Sequence, residues 1–356
     1  MKPSNGTTSP FSFLQQVAAA TAAAMLWAAC GSSGSSGDAV DQAGLIDIGG
    51  GRKIYLECHG DGTPTVVLIS GGFEAGWIWS YALHPTDPVL EEPIDGFSAG
   101  RGDPQKLASA ILPAVRELTR VCTYDRPNTT LGENVQSERQ GRISSPVEQP
   151  HPAEDDVADL HAVLEAAGES GPFVLVAHSY GGLIAELYAR THPGEVAGRV
   201  NVDVTSAFLR DTLPPAEYQK LIESTKTPPE PGGEALEIGA AIDAIRASEP
   251  APRMPAVVLA ADKPPDLEPQ TLQRFTLLTE AQRLLAQDLC AEYITRTNSG
   301  HHIHVEQPQL VGDATRVVVE AVRNQCTALP CDGVSPQPVT PIPCGSKPTV
   351  AVVPRV

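Results

Sequence analysis

The stretch Phe173-Val174-Leu175-Val176-Ala177-His178-Ser179-Tyr180-Gly181-Gly182-Leu183 decides how the chain reads. Its first five residues form a continuous apolar run, the pattern of a strand buried on both faces. Residues 183–190 then read as a helix. A serine at so tight a strand-to-helix turn projects its hydroxyl above the sheet, and its neighbours must be small because the backbone there is strained and crowded. The common form of this elbow is G-x-S-x-G, and Ala177 in place of the first glycine is the smallest departure available.

Outward from the elbow, residues 53–58, 65–69, 121–124, 200–204 and 255–260 read as further strands. Residues 153–167 carry Val157, Leu160, Val163, Leu164 and Ala167 at helical spacing. Glu154, Asp155 and Asp156 fall in the first turn, where the helix dipole favours negative charge. Residues 310–322 read as a closing amphipathic helix. Strands alternating with helices predict an α/β fold with a mostly parallel sheet covered on both faces.

A serine hydroxyl is a poor nucleophile until a histidine takes its proton, so the elbow calls for a histidine after a late strand. Asn298-Ser299-Gly300-His301-His302-Ile303-His304 supplies it, following the strand-like residues 292–297. His301 is the choice, because Gly300 lets the loop turn over the site, while His302 and His304 read as flanking. Three histidines in four residues also suggest a metal, but no Asp, Glu or Cys pattern elsewhere matches them as ligands, so no metal is expected.

These features together resemble the α/β-hydrolase superfamily over roughly residues 45–325. Thr119-Arg120-Val121-Cys122-Thr123-Tyr124-Asp125-Arg126-Pro127 looks like the segment around the fourth strand of those enzymes. Ile69-Ser70-Gly71-Gly72-Phe73 takes the place of their oxyanion loop, with Ser70 where a histidine is usual. His192-Pro193-Gly194-Glu195-Val196, followed by Val200-Asn201-Val202-Asp203, resembles their helix-to-strand passage. The likeness implies an oxyanion hole made by the N–H groups of Tyr180 and Gly72, with Phe73 the alternative. It also implies an acid that orients the histidine. In most relatives that acid follows the strand 255–260, but the expected position falls near Pro264, with Asp262 and Asp266 displaced to either side. Asp203, at the end of the preceding strand, ranks first and Asp262 second. All choices keep the chain order Ser, Asp, His.

Long insertions are expected to supply lids or binding walls, one at about 74–110 and one at about 205–252. The first holds Trp77, Trp79, Tyr81 and Phe97, which either line an apolar acyl or aryl pocket or pack the insertion onto the core. Residues 128–152 are polar and read as a surface loop. His84, His151, His161 and His192 read as exposed.

The whole chain has 356 residues and a net charge of −18. That acid excess argues against nucleic acid, whose binders need clustered Lys and Arg to displace counterions. Its 33 Pro and 31 Gly make up under a fifth of the residues, below the roughly 25–30 % that marks a disordered chain, so a packed core is expected. Residues 17–29 form an uncharged apolar run, interrupted only by Thr21 and too short to span a bilayer, that fits an export signal. Cys30 and the Gly/Ser-rich residues 31–37 resemble a bacterial lipoprotein signal and tether, so the expectation is lipid on Cys30 or simple cleavage nearby. Three parts are thus expected: signal and tether at 1–43, the hydrolase domain at 44–326 and a Pro-rich tail at 327–356. The remaining six cysteines, Cys58, Cys122, Cys290, Cys326, Cys331 and Cys344, suggest up to three disulfides whose pairing the sequence leaves open.

The resulting expectation is an exported or membrane-anchored serine hydrolase of carboxylic esters or related acyl bonds. Its partner is a small-molecule substrate, its only membrane contact is the lipid anchor, and no cofactor is implied. The alternative is a non-catalytic surface lipoprotein that uses the same fold to bind a ligand or partner.

Overall fold

A computed structural model describes residues 41–83, 105–129, 142–229 and 231–326, together with the two-residue strand Val334–Ser335. Residues 1–40, which hold the expected export signal and Cys30, lie outside the described residues, as do His84, Phe97, Cys331, Cys344 and most of the tail.

Among the described residues nine strands form one sheet: β1 (Gln42–Gly49), β2 (Arg52–His59), β3 (Thr65–Ile69), β4 (Val121–Asp125), β5 (Phe173–His178), β6 (Val196–Val202), β7 (Ala256–Leu259), β8 (Glu292–Ile294) and β9 (Val334–Ser335). Their order is β1-β2-β4-β3-β5-β6-β7-β8-β9. Only β1 against β2 and β2 against β4 run antiparallel, and every later pairing is parallel. The expected mostly parallel sheet is therefore present. β1 had no counterpart in the sequence reading, because its residues alternate between half-buried and exposed and it ends in the glycine run Gly49-Gly50-Gly51.

The period-two alternation of the central strands sorts their side chains onto two cores. Val67, Ile69, Leu175, Ala177 and Val258 face one side, packed under α2 (Ala153–Ala166) and α3 (Gly181–Thr191). Val66, Leu68, Val174, Val176, Val200 and Val202 face the other, beneath α1 (Ile111–Arg116) and the C-terminal helix Pro308–Arg323. Each aliphatic chain buried in this way contributes roughly 1.5–3 kcal/mol, and the buried charge that β6 does carry, Arg199, is paired with Glu186 of α3. The second insertion carries the helices Pro215–Thr225 and Ile238–Ala247, and a 21-residue helix, Pro269–Leu289, precedes β8.

Cys58 and Cys122 face one another in the β2/β4 register, with Cα atoms 4.1 Å apart, and form a disulfide. Cys290 and Cys326 are disulfide-bonded as well. The Cys58–Cys122 bridge closes a loop with a sequence separation of 64, which in the chain-entropy account stabilises the fold by up to about 4 kcal/mol. The double variant Cys58→Ala/Cys122→Ala should accordingly unfold at a lower urea midpoint. An unchanged midpoint would show that the bridge constrains nothing.

Candidate active site

Ser179 sits where β5 gives way to α3, with φ at +50°, a left-handed conformation that costs a non-glycine residue about 1–3 kcal/mol. The surroundings hold it there. Thr205 and Gly182 donate their N–H groups to the Ser179 carbonyl at 2.9 and 3.0 Å, and the Ser179 N–H reaches the Val202 carbonyl at 3.3 Å. Small neighbours are obligatory. A Cβ on Gly181 would lie 2.6 Å from the carbonyl oxygens of Ile69 and Ser70, and one on Gly71 would lie 3.1 Å from Ser179 Cβ. Ala177 is fully buried and fits.

The structure brings Ser179, His301 and Asp203 together. Ser179 Oγ lies 3.0 Å from His301 Nε2, and His301 Nδ1 lies 2.6 Å from Asp203 Oδ2. Asp203 follows β6 with φ at +42°, which turns its carboxylate back over the sheet. The other oxygen, Oδ1, accepts the N–H of Ala261 at 2.8 Å and the Nε2 donor of Gln282 at 2.7 Å. Burial pushes this carboxyl up, yet the His301 hydrogen bond and charge, with the Ala261 and Gln282 donors, outweigh it and hold Asp203 below its ordinary range. Burial likewise pulls His301 down, and the hydrogen bond and charge of Asp203 more than reverse that. Such a hydroxyl–imidazole–carboxylate line can pass the serine proton to the ring while the carboxylate fixes the ring's tautomer.

Asp262 has a different task. Its Oδ1 accepts the Ser299 N–H at 2.9 Å, and its own N–H donates to the Ser299 carbonyl at 3.1 Å, so it clamps the loop that presents His301. Asp266 is exposed and accepts the Glu268 N–H at 2.9 Å just before the helix Pro269–Leu289.

Of the three expected oxyanion donors, the Phe73 N–H donates to Glu234 Oε2 at 2.6 Å. Hydrogen bonds among the described residues engage neither the Gly72 nor the Tyr180 N–H, so these two stay available. The loop is pinned by Arg126, whose Nη1 and Nη2 donate to the carbonyls of Ser70 and Gly71 and whose Nε donates to Glu234 Oε1 at 2.7 Å. This buried ion pair joins the second insertion to the loop, and Leu236 from the same insertion sits against Gly72, where an added Cβ would meet its Cδ1 at 2.3 Å. Tyr180 points its hydroxyl at Asp156 Oδ2, 3.3 Å away, and burial pushes that carboxyl up to about 7 against the pull of Arg126.

The aromatic insertion resolves toward packing. Trp79 is fully buried, and its Nε1 donates to Ser70 Oγ at 3.1 Å; Trp77 packs edge-on against Tyr81. Nor is the polar segment after Asn128 wholly superficial. Arg142 is buried and pairs with Asp125 and Glu57, and half-buried His151 lies 3.2 Å from Asp159 Oδ2. His161 and His192 are half-buried and stack with ring centroids 4.3 Å apart.

Three residues at the site escaped the sequence reading. Gln282 lies on the helix Pro269–Leu289, which carries no motif. Glu74 and His178 are the others. Burial pushes the Glu74 carboxyl up, but His178 and His302, flanking its two oxygens, bring it well below its ordinary range. The signals were present as an acid directly after the glycine loop and a histidine directly before the serine, but neither type nor spacing pairs residues 104 positions apart.

A family model described as the alpha/beta hydrolase family matches residues 66–314. The chain is 32 % identical over 164 residues to an uncharacterized protein of Schizosaccharomyces pombe, an alignment covering 43 % of this chain and 26 % of that protein. It thus spans about a quarter of that relative's length. It is 24 % identical over 231 residues to the uncharacterized protein YqjL of Bacillus subtilis, covering 60 % of this chain and 79 % of YqjL. Among solved structures it is similar to Est816, described as an N-acyl homoserine lactone degrading enzyme, with a TM-score of 0.46, 19 % identity, and coverage of 79 % of this chain and 99 % of that one. With the sheet order, the elbow and the matched span in agreement, the chain belongs to the alpha/beta hydrolase family.

Proposed function

We propose that the chain is an exported serine hydrolase that cleaves carboxylic esters or related acyl bonds. Ser179 Oγ attacks the carbonyl carbon as His301 Nε2 takes its proton. The Tyr180 and Gly72 N–H groups receive the developing oxyanion, and Asp203 steadies the imidazolium. His301 then returns the proton to the leaving group, and water, activated by the same ring, releases the acyl group. The observation that carries this reading is the unbroken line Ser179–His301–Asp203 at 3.0 and 2.6 Å. Attack and proton transfer come from side chains, so the steps call for no cofactor. Export through the leader, with lipid on Cys30 or cleavage nearby, belongs to the same proposal, and the bonded Cys58, Cys122, Cys290 and Cys326 support it, since disulfides persist in oxidising compartments.

A fluorophosphonate probe tests the chemistry. Labelling of folded protein that maps to Ser179 is expected, and a folded chain that takes no label would favour a binding protein. p-Nitrophenyl esters of increasing chain length then define the acyl group.

The pH dependence follows from the site's charges. Only neutral His301 can accept the serine proton, so kcat/KM should rise with pH as the ring deprotonates. Asp203 holds the ring above the ordinary value of 6.5, so the midpoint of that rise should lie above 6.5. A midpoint below 6.5 would mean that the carboxylate is not charged beside the ring in solution.

A further inference from the structure

Behind the elbow lie a carboxylate and imidazoles that the hydrolytic steps do not use. Glu74 Oε2 lies 3.0 Å from His178 Nδ1 and accepts the Gly71 N–H at 2.9 Å, and Glu74 Oε1 lies 3.1 Å from His302 Nε2. On its far side His178 Nε2 faces the carbonyl oxygen of His301 at 3.1 Å. A carbonyl only accepts, so the proton of a neutral His178 ring sits on Nε2 and Nδ1 turns a lone pair toward the carboxylate. Two lone pairs at that distance call for a cation, either a second proton or a metal ion.

His304 decides between them. Its ring is fully buried, its centroid 4.2 Å from that of His178, and among the described residues neither of its nitrogens has a hydrogen-bond partner. An imidazole stripped of water with no partner costs the fold stability. A proton shared by Glu74 and His178 leaves it orphaned, whereas a metal ion takes all three groups at once. Ligand atoms of Glu74, His178 and His304 all lie within 4.8 Å of one another. Tetrahedral zinc with bonds near 2.0–2.1 Å sets its ligands about 3.4 Å apart, so small side-chain rotations close the site.

We propose that Glu74, His178 and His304 form a binding site for one divalent metal ion of the zinc type, directly behind Ser179 and His301. One carboxylate oxygen and two imidazole nitrogens are a donor set suited to zinc. His302, on the other oxygen of Glu74, fixes the carboxylate's orientation as outer partners of metal ligands do. The ion would tie the elbow, through His178, to the loop that carries His301. Histidines clustered at 301–304 and a carboxylate 228 positions upstream of His302 are joined only by the fold, and so the sequence offered no ligand set.

The test is metal content and stability of the full chain, read without reference to ester cleavage. After loading with zinc and dialysis against metal-free buffer, the protein should retain about one ion per chain, and its Tm should rise by several degrees over the chelator-treated form. His304→Leu and Glu74→Gln should lose both effects. His192→Ala should keep them, since it removes only the half-buried cluster of His161, His192 and Glu195. Should His304→Leu not fold, the visible spectrum of the cobalt-loaded His192→Ala chain, which lacks the other cluster, carries the test by itself: intense tetrahedral bands support the site, and weak six-coordinate bands overturn it. Wild-type protein that retains no metal and gains no stability, or a folded His304→Leu chain that retains as much as wild type, also overturns the proposal.

Discussion

Ser179→Ala should lower kcat on an activated ester by about six orders of magnitude, the loss expected when the nucleophile of a serine–histidine–acid unit is removed. The substitution deletes one oxygen. Its hydrogen bond to His301 Nε2 at 3.0 Å is lost, while the backbone bonds from Thr205 and Gly182 to the residue 179 carbonyl remain. The fold should therefore survive, with stability changed by no more than about 1 kcal/mol. What activity persists would come from the Tyr180 and Gly72 donors and from substrate binding, a residue of about 10³–10⁴ over water. A folded Ser179→Ala protein that retains a tenth of the wild-type rate would remove the serine from the chemistry.

Asp203→Asn should cost about 10⁴-fold in kcat, more than loss of a charge in water would suggest. The Ala261 N–H and the Gln282 amide both donate to Oδ1, so an asparagine must place its carbonyl there and turn its NH₂ toward His301. That NH₂ needs an acceptor, which forces the His301 proton onto Nε2, the atom that has to take the serine proton. The variant should be folded and correctly shaped, with the ring locked in the wrong tautomer. Asp262→Asn provides the contrast. Its side-chain oxygen can still accept the Ser299 N–H, so the loop is kept and the rate should fall by less than about tenfold. A larger loss at Asp262 than at Asp203, measured on the same ester, would reverse the assignment of the acid.

The parts of this molecule that one sequence reveals are those whose physics is local. β3 and β5 are continuous aliphatic runs because both faces of the central sheet are covered, and each was legible with its bounds within a residue. Ser179 was legible because a strained turn permits few residue types around it. Asp203 was harder. A carboxylate at the very end of an apolar strand could equally cap a loop, and only the left-handed turn at that residue brings it under His301. Trp79 was ambiguous because an exposed wall and a buried anchor have the same composition, and its hydrogen bond to Ser70 is a tertiary fact. The helix Pro269–Leu289 went unread for a similar reason, since much of its surface is solvated and its periodicity is correspondingly weak. Glu74, His178 and Gln282 gain their roles from partners many positions away.

Under the proposed function, the Arg126–Glu234 pair bears on how the range of substrates could change. Because Glu234 holds both Arg126 and the Phe73 N–H, and Leu236 covers Gly72, the middle of the second insertion is a strut of the loop Ile69–Phe73 and cannot swing away as a hinged flap. Grafting a different cap onto this scaffold would unseat the loop along with the old specificity. The graft points that spare it lie within residues 206–229, ahead of the strut, where acceptor shape could drift while the machinery below stays braced.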